Sequence, residues 1–532
     1  MITAALLCLA SLVAYYVLLS RRSRGAFRNI RGPPASSFLY GNLLELMSAD
    51  AYGFHADLAQ NYGSVVKLHA MCGGKHLYVF DSAAMHSILV HDEPIYNMPE
   101  IFLAANRVMF GPCLVSTSGS HHRRGRKIMN PVFSLSRLRE MLPMLYTATH
   151  ELSDSLSQAL DNRKTGEIDM LKRLGLTSLE FIGRAGFGHS FAASQGENAL
   201  EGMKQLLFAA KRLIVPMQLL PFFIRIIPAA WRRRMIDFVP LPDLHLARDL
   251  VNTMDANSRS ILAAKRHVDA SSGASAEVSE GKDILSVLLR SSMRKEGDTL
   301  SEEELLGQMN VLIFAGTDTT STAVARALQE LARSREIQDR LRDEITSASV
   351  HGDLDYDALF SLPLLDAVCR ETLRLYPPAT MSSRQAMKDT ILPPSRPMNG
   401  INREPISEIH VPAGTIVHIG IRAANTNRAV WGSDALDWKP SRWLEPLPQT
   451  VLDAQFPGVY PKIMSFIGGP RGCIGFKFAE MAIKVLLAVL LKDFMFSLSD
   501  KEIIWKMGQA EAPSVEGKQA LPLIVTPVAS LE

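Results

Sequence analysis

Cysteine is scarce: the chain of 532 residues holds five, Cys8, Cys72, Cys113, Cys369 and Cys473. They are scattered, odd in number and form no CxxC pair. Neither a disulfide framework nor a zinc site is indicated, and the usage fits a reducing compartment. Charge of one sign is also missing. The formal net charge is +3, with no long basic block, no zinc-finger spacing and no RNA-binding aromatic signature. No nucleic acid is therefore expected as a partner. No internal repeat is visible. What is present is an ordinary globular composition, 47% apolar and 21% charged, able to bury a large core.

Charge is absent altogether from residues 2–20, "ITAALLCLASLVAYYVLLS". As a helix this run spans roughly 28 Å, about the hydrocarbon thickness of a bilayer. Arg21, Arg22, Arg24, Arg28 and Arg31 follow it, and no basic side chain precedes it. The positive-inside rule then places the bulk of the chain on the cytosolic side. A cleavable signal peptide would want a charged start, a shorter core and a small-residue cleavage site, and none is clear. The expectation is a transmembrane signal anchor at 1–20, a basic and proline-rich linker at 21–34 ending in "RGPP", and one catalytic domain at 35–532.

From about Ala51 the pattern is mostly helical, with short β-like pieces such as "SVVKLHAM" and "HLYVF". Residues 393–415 are rich in Pro, Gly and Asn and lead into "EIHVPAGTIVHIGI", which predicts a small β-excursion. Polar residues 269–282 predict a surface loop. The stretch 216–240 mixes apolar, aromatic and arginine residues. Two readings fit it: a core helix pair, or a flap that dips into a membrane surface.

Ser301 to Glu304 has the S-x-x-E form of a capping box, and the helix it opens is predicted to run to about Arg333. Its middle, "VLIFAGTDTTSTAVARAL", places Ala315, Gly316, Asp318, Thr319 and Thr320 where core residues belong. Small residues leave a notch, and an acid with an alcohol in a dry notch can relay protons. The competing reading is a small-residue helix crossing with the threonines bonded back to carbonyls one turn earlier. Further on, Glu371 and Arg374 share a helix face at i, i+3 spacing in apolar surroundings. A pair held there needs more partners, and Arg442 in "PSRW" is the predicted third member of a structural lock.

Cys473 lies in "FIGGPRGCIG", just before an apolar helical run. A helix N-terminus biases a thiol toward thiolate. A nucleophile would want a positioned histidine, and none of the fourteen is marked by sequence. A phosphate loop would need G-x-x-x-x-G-K-[ST], which this stretch does not supply. The third reading is an axial thiolate to haem iron. It explains Gly469 and Gly475 as room for a flat macrocycle and Arg471 as a partner for a propionate.

Phe466, Gly469, Arg471, Cys473 and Gly475 fill F-x-x-G-x-R-x-C-x-G, which resembles the haem-binding signature of cytochrome P450. The segment 315–320 is similar to that family's oxygen-activation helix, and Glu371-x-x-Arg374 with Pro440-x-Arg442-Trp443 to its ion-pair lock. All fall in the family's order, and the resemblance covers essentially the whole chain. It implies a mainly α fold with small β-sheets, a haem cofactor, and O2 with NADPH-derived electrons delivered by a reductase. It implies Cys473 as the iron ligand and Asp318 and Thr319 as a proton relay. His122 and Arg126 are carried over as propionate partners, although the family often has Trp at the first position; Arg384 is a further one. Asn425 stands where a histidine is common and is left out of this set. Arg123, Arg124 and Lys127 are candidates for a basic docking face toward the reductase. Segments 95–115, 205–225 and 379–382 resemble substrate-contacting stretches, and their apolar character implies a lipophilic small molecule. The long insertion before "EIHVPAGT" resembles fungal members, many of which modify terpenoids, steroids or other secondary metabolites. The implied location is the endoplasmic reticulum membrane, single-pass, with the catalytic domain facing the cytosol. Rival classes are a thiolate-haem isomerase or dehydratase and a non-catalytic haem sensor; neither has a use for the Asp318–Thr319 pair.

Overall fold

A computed structural model describes residues 25–528, apart from 162, 192, 214–215, 228–230, 232–235, 272–282, 295–298 and 509. The predicted anchor at 1–20 and most of the predicted loop at 269–282 lie outside the described residues. Among the described residues, no helix is long and apolar enough to cross a membrane. The chain forms two compact units, one of residues 1–99, 370–473 and 504–514, the other of residues 100–369, 474–503 and 515–532.

The first unit is built on strands. In chain order these include Val65–His69 (β1), Lys75–Val79 (β2), Tyr96–Asn97 (β3), Met381–Ala386 (β4), Thr390–Leu392 (β5), Met398–Asn399 (β6), Pro405–Ile406 (β7), Ile409–Val411 (β8), Ile416–Gly420 (β9), Gly458–Tyr460 (β10) and Ile463–Gly468 (β11). The two β-like pieces read from sequence become β1 and β2, an antiparallel pair with Val65 opposite Val79. The main sheet has the order β1-β2-β9-β4-β3, with β2 and β9 parallel. Its β-branched residues pack one buried face: Val65, Val79, Val417 and Ile419 are all sealed from solvent. Phe27 and Ile30 join this core, so the catalytic body takes in part of the predicted linker. The predicted β-excursion is real, as β5 pairs with β8 and β6 with β7.

The second unit is helical. It includes Gly119–Met129 (α1), Met170–Phe181 (α2), Glu302–Arg333 (α3) and Phe476–Asp493 (α5 below); Pro363–Leu375 (α4) supplies Glu371 and Arg374 to the first unit. Helix α3 begins where the sequence predicts. Ser301 Oγ accepts from the Glu304 amide at 3.1 Å, and the Glu304 carboxylate returns the bond to the Ser301 amide at 2.9 Å. Helix α5, Phe476–Asp493, is apolar on nearly every side and buried accordingly. Part of 216–240 is described. The helix Leu220–Ile226 exposes Phe222, Phe223 and Ile226, and beyond it Trp231 and Phe238 are exposed, the last at 85%.

Candidate functional site

The cysteine loop begins as a hairpin. Strand β11 runs back along β10, with Gly458 opposite Gly468. A Cβ on Gly468 would fall 1.5 Å from the Pro457 carbonyl oxygen, so only glycine fits. Gly469 follows at φ +68°, and a Cβ there would lie 1.9 Å from the Leu89 carbonyl oxygen. Glycine at 469 is thus required by packing against the Leu89 backbone. Gly475 is less crowded. Nothing lies closer to a Cβ there than the Phe133 ring at 3.7 Å. Ile467, a β-branched residue, is held at φ +55°, a strained conformation of the kind that clusters at functional sites. The Cys473 amide donates to the Phe466 carbonyl at 2.9 Å and closes the turn. Cys473 is exposed, whereas Cys72, Cys113 and Cys369 are buried. Burial pushes the Cys72 and Cys113 thiols up. Helix α5 opens at Phe476, within one turn of Cys473 along the chain.

Two buried or half-buried cations share the first unit with that loop. Arg384 on β4 is sealed, and Nη1 donates to Ser382 Oγ (3.1 Å) and the Ser383 carbonyl (2.8 Å). Burial and then the Arg471 guanidinium lower its pKa to about 10, opposed by Glu93. Two guanidiniums acting on each other in a desolvated setting form a site for an anion.

The lock is assembled in full. Arg374 Nε and Nη2 donate to the two oxygens of Glu371 at 2.8 Å each, and both side chains are completely buried. Arg442 Nε reaches Glu371 Oε1 at 3.3 Å. Two further donors reach Glu371: the indole of Trp443, already in the lock motif (2.9 Å), and the Lys439 amide (3.1 Å), which the sequence did not indicate. The remaining Arg374 donors take the carbonyls of Asn425, Ala435 and Asp437. Asn425 ties this network to the cysteine loop. Its Oδ1 accepts from the Met464 amide (2.7 Å) and its Nδ2 donates to Ser465 Oγ (2.9 Å), both on β11. Asparagine, which can accept and donate at once, was the signal available in the sequence.

In the second unit, the middle of α3 carries the notch. Ala315 is exposed and Thr319 partly so, one turn apart in a helix with buried flanks. Gly316 is not part of the opening: a Cβ there would fall 2.4 Å from Ile182 Cδ1, so this glycine serves helix packing. Thr319 Oγ1 donates to the Ala315 carbonyl at 2.8 Å and Thr317 Oγ1 to the Ile313 carbonyl at 2.7 Å. The back-bonding reading and the notch reading therefore both hold, in the same turns. Burial raises the Asp318 carboxyl, opposed by the Lys204 ammonium. On α1, His122 is buried and Arg126 half-buried, one turn apart on one face. Of the predicted docking residues, Arg123 and Lys127 are exposed, while Arg124 is committed to the Thr299 carbonyl and the Glu304 carboxylate.

A family model described as Cytochrome P450 matches residues 31–515. The chain belongs to the cytochrome P450 family. It is 44% identical to cytochrome P450 monooxygenase 91 of Postia placenta, over 93% of each chain. It is 43% identical to monooxygenase 81 of the same fungus, over 97% of this chain and 96% of that one. A ganoderic acid synthetase of Ganoderma lucidum is 38% identical, over 96% and 95%. As a P450 the chain is a monooxygenase, an oxidoreductase of a family that uses haem, O2 and reductase-derived electrons. The residues present fit haem on two structural points: an exposed Cys473, and the Arg384 and Arg471 guanidiniums, which are suited to carboxylates.

Proposed function

We propose that this P450 binds haem through the Cys473 thiolate and oxidises a lipophilic small molecule of fungal secondary metabolism. The observation that carries the reading is Cys473 itself, accessible at the end of a turn closed by the Phe466 carbonyl and followed by a helix N-terminus. Arg384 and Arg471 hold the propionates by charge-assisted bonds, with His122 and Arg126 as further partners. Bound haem supplies O2 binding and its reductive activation. The chain's own part is to hold the cofactor, exclude water and move protons. Asp318, kept toward its neutral form by burial, is a proton donor held in reserve. The Thr319 hydroxyl sits on the open face of α3 and passes the proton on, resting meanwhile on the Ala315 carbonyl. Glu371, Arg374 and Arg442 are structural.

The apolar character of 95–115 and 205–225 supports a lipophilic substrate. The relative named for ganoderic acid supports the metabolite class, terpenoid or steroid among the candidates. Electrons come from NADPH through a reductase. The uncharged run at 1–20 followed by arginines supports a single-pass anchor in the endoplasmic reticulum membrane, with 35–532 as the catalytic domain on the cytosolic side. The exposed apolar side chains of 222–238 suit a membrane surface.

The test is spectroscopic and then functional. The reduced protein with carbon monoxide should give a thiolate-type spectrum, and NADPH with reductase should support substrate-dependent O2 consumption. No thiolate-type spectrum would sink the ligand assignment. A correct spectrum with turnover that needs neither O2 nor reductase would favour an isomerase or dehydratase. A substrate-binding spectral screen over terpenoids and steroids then identifies the substrate class.

A further inference from the structure

The insertion at 393–408 has no part in the site described above, yet it is built with care. Strands β6 and β7 pair as a hairpin, with Met398 opposite Ile406. Its tip is a closed turn. The Gly400 amide donates to the Glu404 carbonyl (2.9 Å), the Arg403 amide to the Gly400 carbonyl (3.1 Å), and Arg403 takes φ +67°. The tip grips one residue near the start of the described chain, Asn29. The Ile401 amide donates to the Asn29 carbonyl (2.8 Å), and the Asn402 amide to Asn29 Oδ1 (3.0 Å). Gly400 is needed for this, since a Cβ there would lie 2.3 Å from Asn29 Nδ2. Phe27 and Ile30 pack on either side of Asn29 into the same core as Met398 and Ile406. Beyond them the Lys67 amide donates to the Arg31 carbonyl (2.9 Å), and Gly32 passes so close to Lys67 that a Cβ would meet its carbonyl oxygen at 1.9 Å. The base of the insertion is fastened separately, with the Ser395 amide and hydroxyl both on Asp81 Oδ1 (2.8 and 2.6 Å).

We propose that the hairpin at 398–406 is a clamp on residues 27–31, which sets the direction in which the preceding chain leaves the body and so fixes the body's tilt on a membrane. A flexible linker ending at residue 34 would leave the body free to tumble about its anchor. Here residues 29–32 are held on one side by the hairpin tip and on the other by β1. The second half of this statement rests on the membrane-anchor reading given under Proposed function; the clamp itself does not.

Two variants attack the grip from opposite sides, Asn29→Ala and Gly400→Val, in the full-length haem-loaded chain. Arg28 and Arg31 are exposed trypsin sites with backbone held by the clamp. Each variant should raise the rate of cleavage at these two sites at least tenfold, with the carbon monoxide spectrum unchanged. Unchanged cleavage in both overturns the clamp. In bilayer nanodiscs, linear dichroism of the haem should report a broader tilt distribution in both variants. Faster cleavage with unchanged dichroism overturns the orienting role. Recovery of the parent chain in the soluble fraction after carbonate washing sinks the anchor reading, and with it the orienting role, while the tryptic result still decides the clamp.

Discussion

At Cys473 a change to alanine removes the sulfur and little else, because the turn is closed through the backbone amide. Cys473→Ala should abolish the thiolate-type carbon monoxide spectrum while the circular dichroism and unfolding midpoint stay close to those of the parent. Thr319→Ala has the opposite profile. Its hydroxyl bonds only to a carbonyl of its own helix, so the fold and the haem spectrum persist. Product formed per NADPH should fall about tenfold or more, within the range typical of a lost proton-transfer group, with reduced oxygen released instead. Full coupling in that variant would remove Thr319 from the relay. Single residues also show what a sequence motif hides. Gly469, Gly316 and Gly475 all read as relief of bulk, but only at Gly475 would a Cβ meet nothing closer than an ordinary contact. The other two are filled by the Leu89 carbonyl and by Ile182. A glycine in a sequence announces that a Cβ is unwelcome, and its neighbour in space decides why.

Helix α4, the 440–443 turn and strand β11 succeed or fail together, because Glu371, Arg374, Arg442 and Asn425 bind them by buried hydrogen bonds. Glu371→Gln leaves the buried Arg374 guanidinium without its carboxylate, while Arg442 keeps Asp434. The expected loss is about 3–5 kcal/mol, the cost of breaking a buried ion pair from one side. A urea titration of the haem-loaded protein measures it. Arg374→Lys should do nearly as much harm, since an ammonium cannot span two carboxylate oxygens and three carbonyls at once. Helix α3 has its own limit. Gly316→Val drives two methyls into Ile182 and should cost about 1–3 kcal/mol by overpacking, without touching the Asp318 and Thr319 groups. The i, i+3 spacing announced the Glu371–Arg374 pair and the capping box announced the start of α3, because both are contacts within a turn. The Lys439 amide donor, 68 residues from Glu371 along the chain, was not announced.

Across the whole molecule, buried histidines make stability depend on pH. His76 Nδ1 and His418 Nε2 lie 3.0 Å apart on neighbouring strands, and His418 Nδ1 is 2.9 Å from Ser383 Oγ. Burial lowers the His76 pKa to about 4, and burial with the two neighbouring histidines lowers that of His418 well below the usual value. Both rings are therefore neutral in the fold, while an unfolded chain binds their protons near pH 6.5. Stability is full above that pH and is lost as pH falls from about 6.5 toward 4, by about 1.4 kcal/mol per pH unit for each ring. Urea midpoints at pH 7, 6 and 5 should trace this decline, and His76→Gln with His418→Gln should flatten it. Nothing in the sequence marks these two histidines, which are 342 positions apart and meet only because β2 and β9 lie side by side. The same division runs through the molecule. The cysteine loop, the notch, the cap and the Glu371–Arg374 pair were legible in the sequence, since each is written within a few residues and local backbone geometry brings its members together. The purpose of each glycine, the bracing by Asn425 and the Lys439 amide, and the grip of the 398–406 hairpin on Asn29 were decided by the tertiary fold. Those partners are distant along the chain, and only the packing of a common core sets their distance.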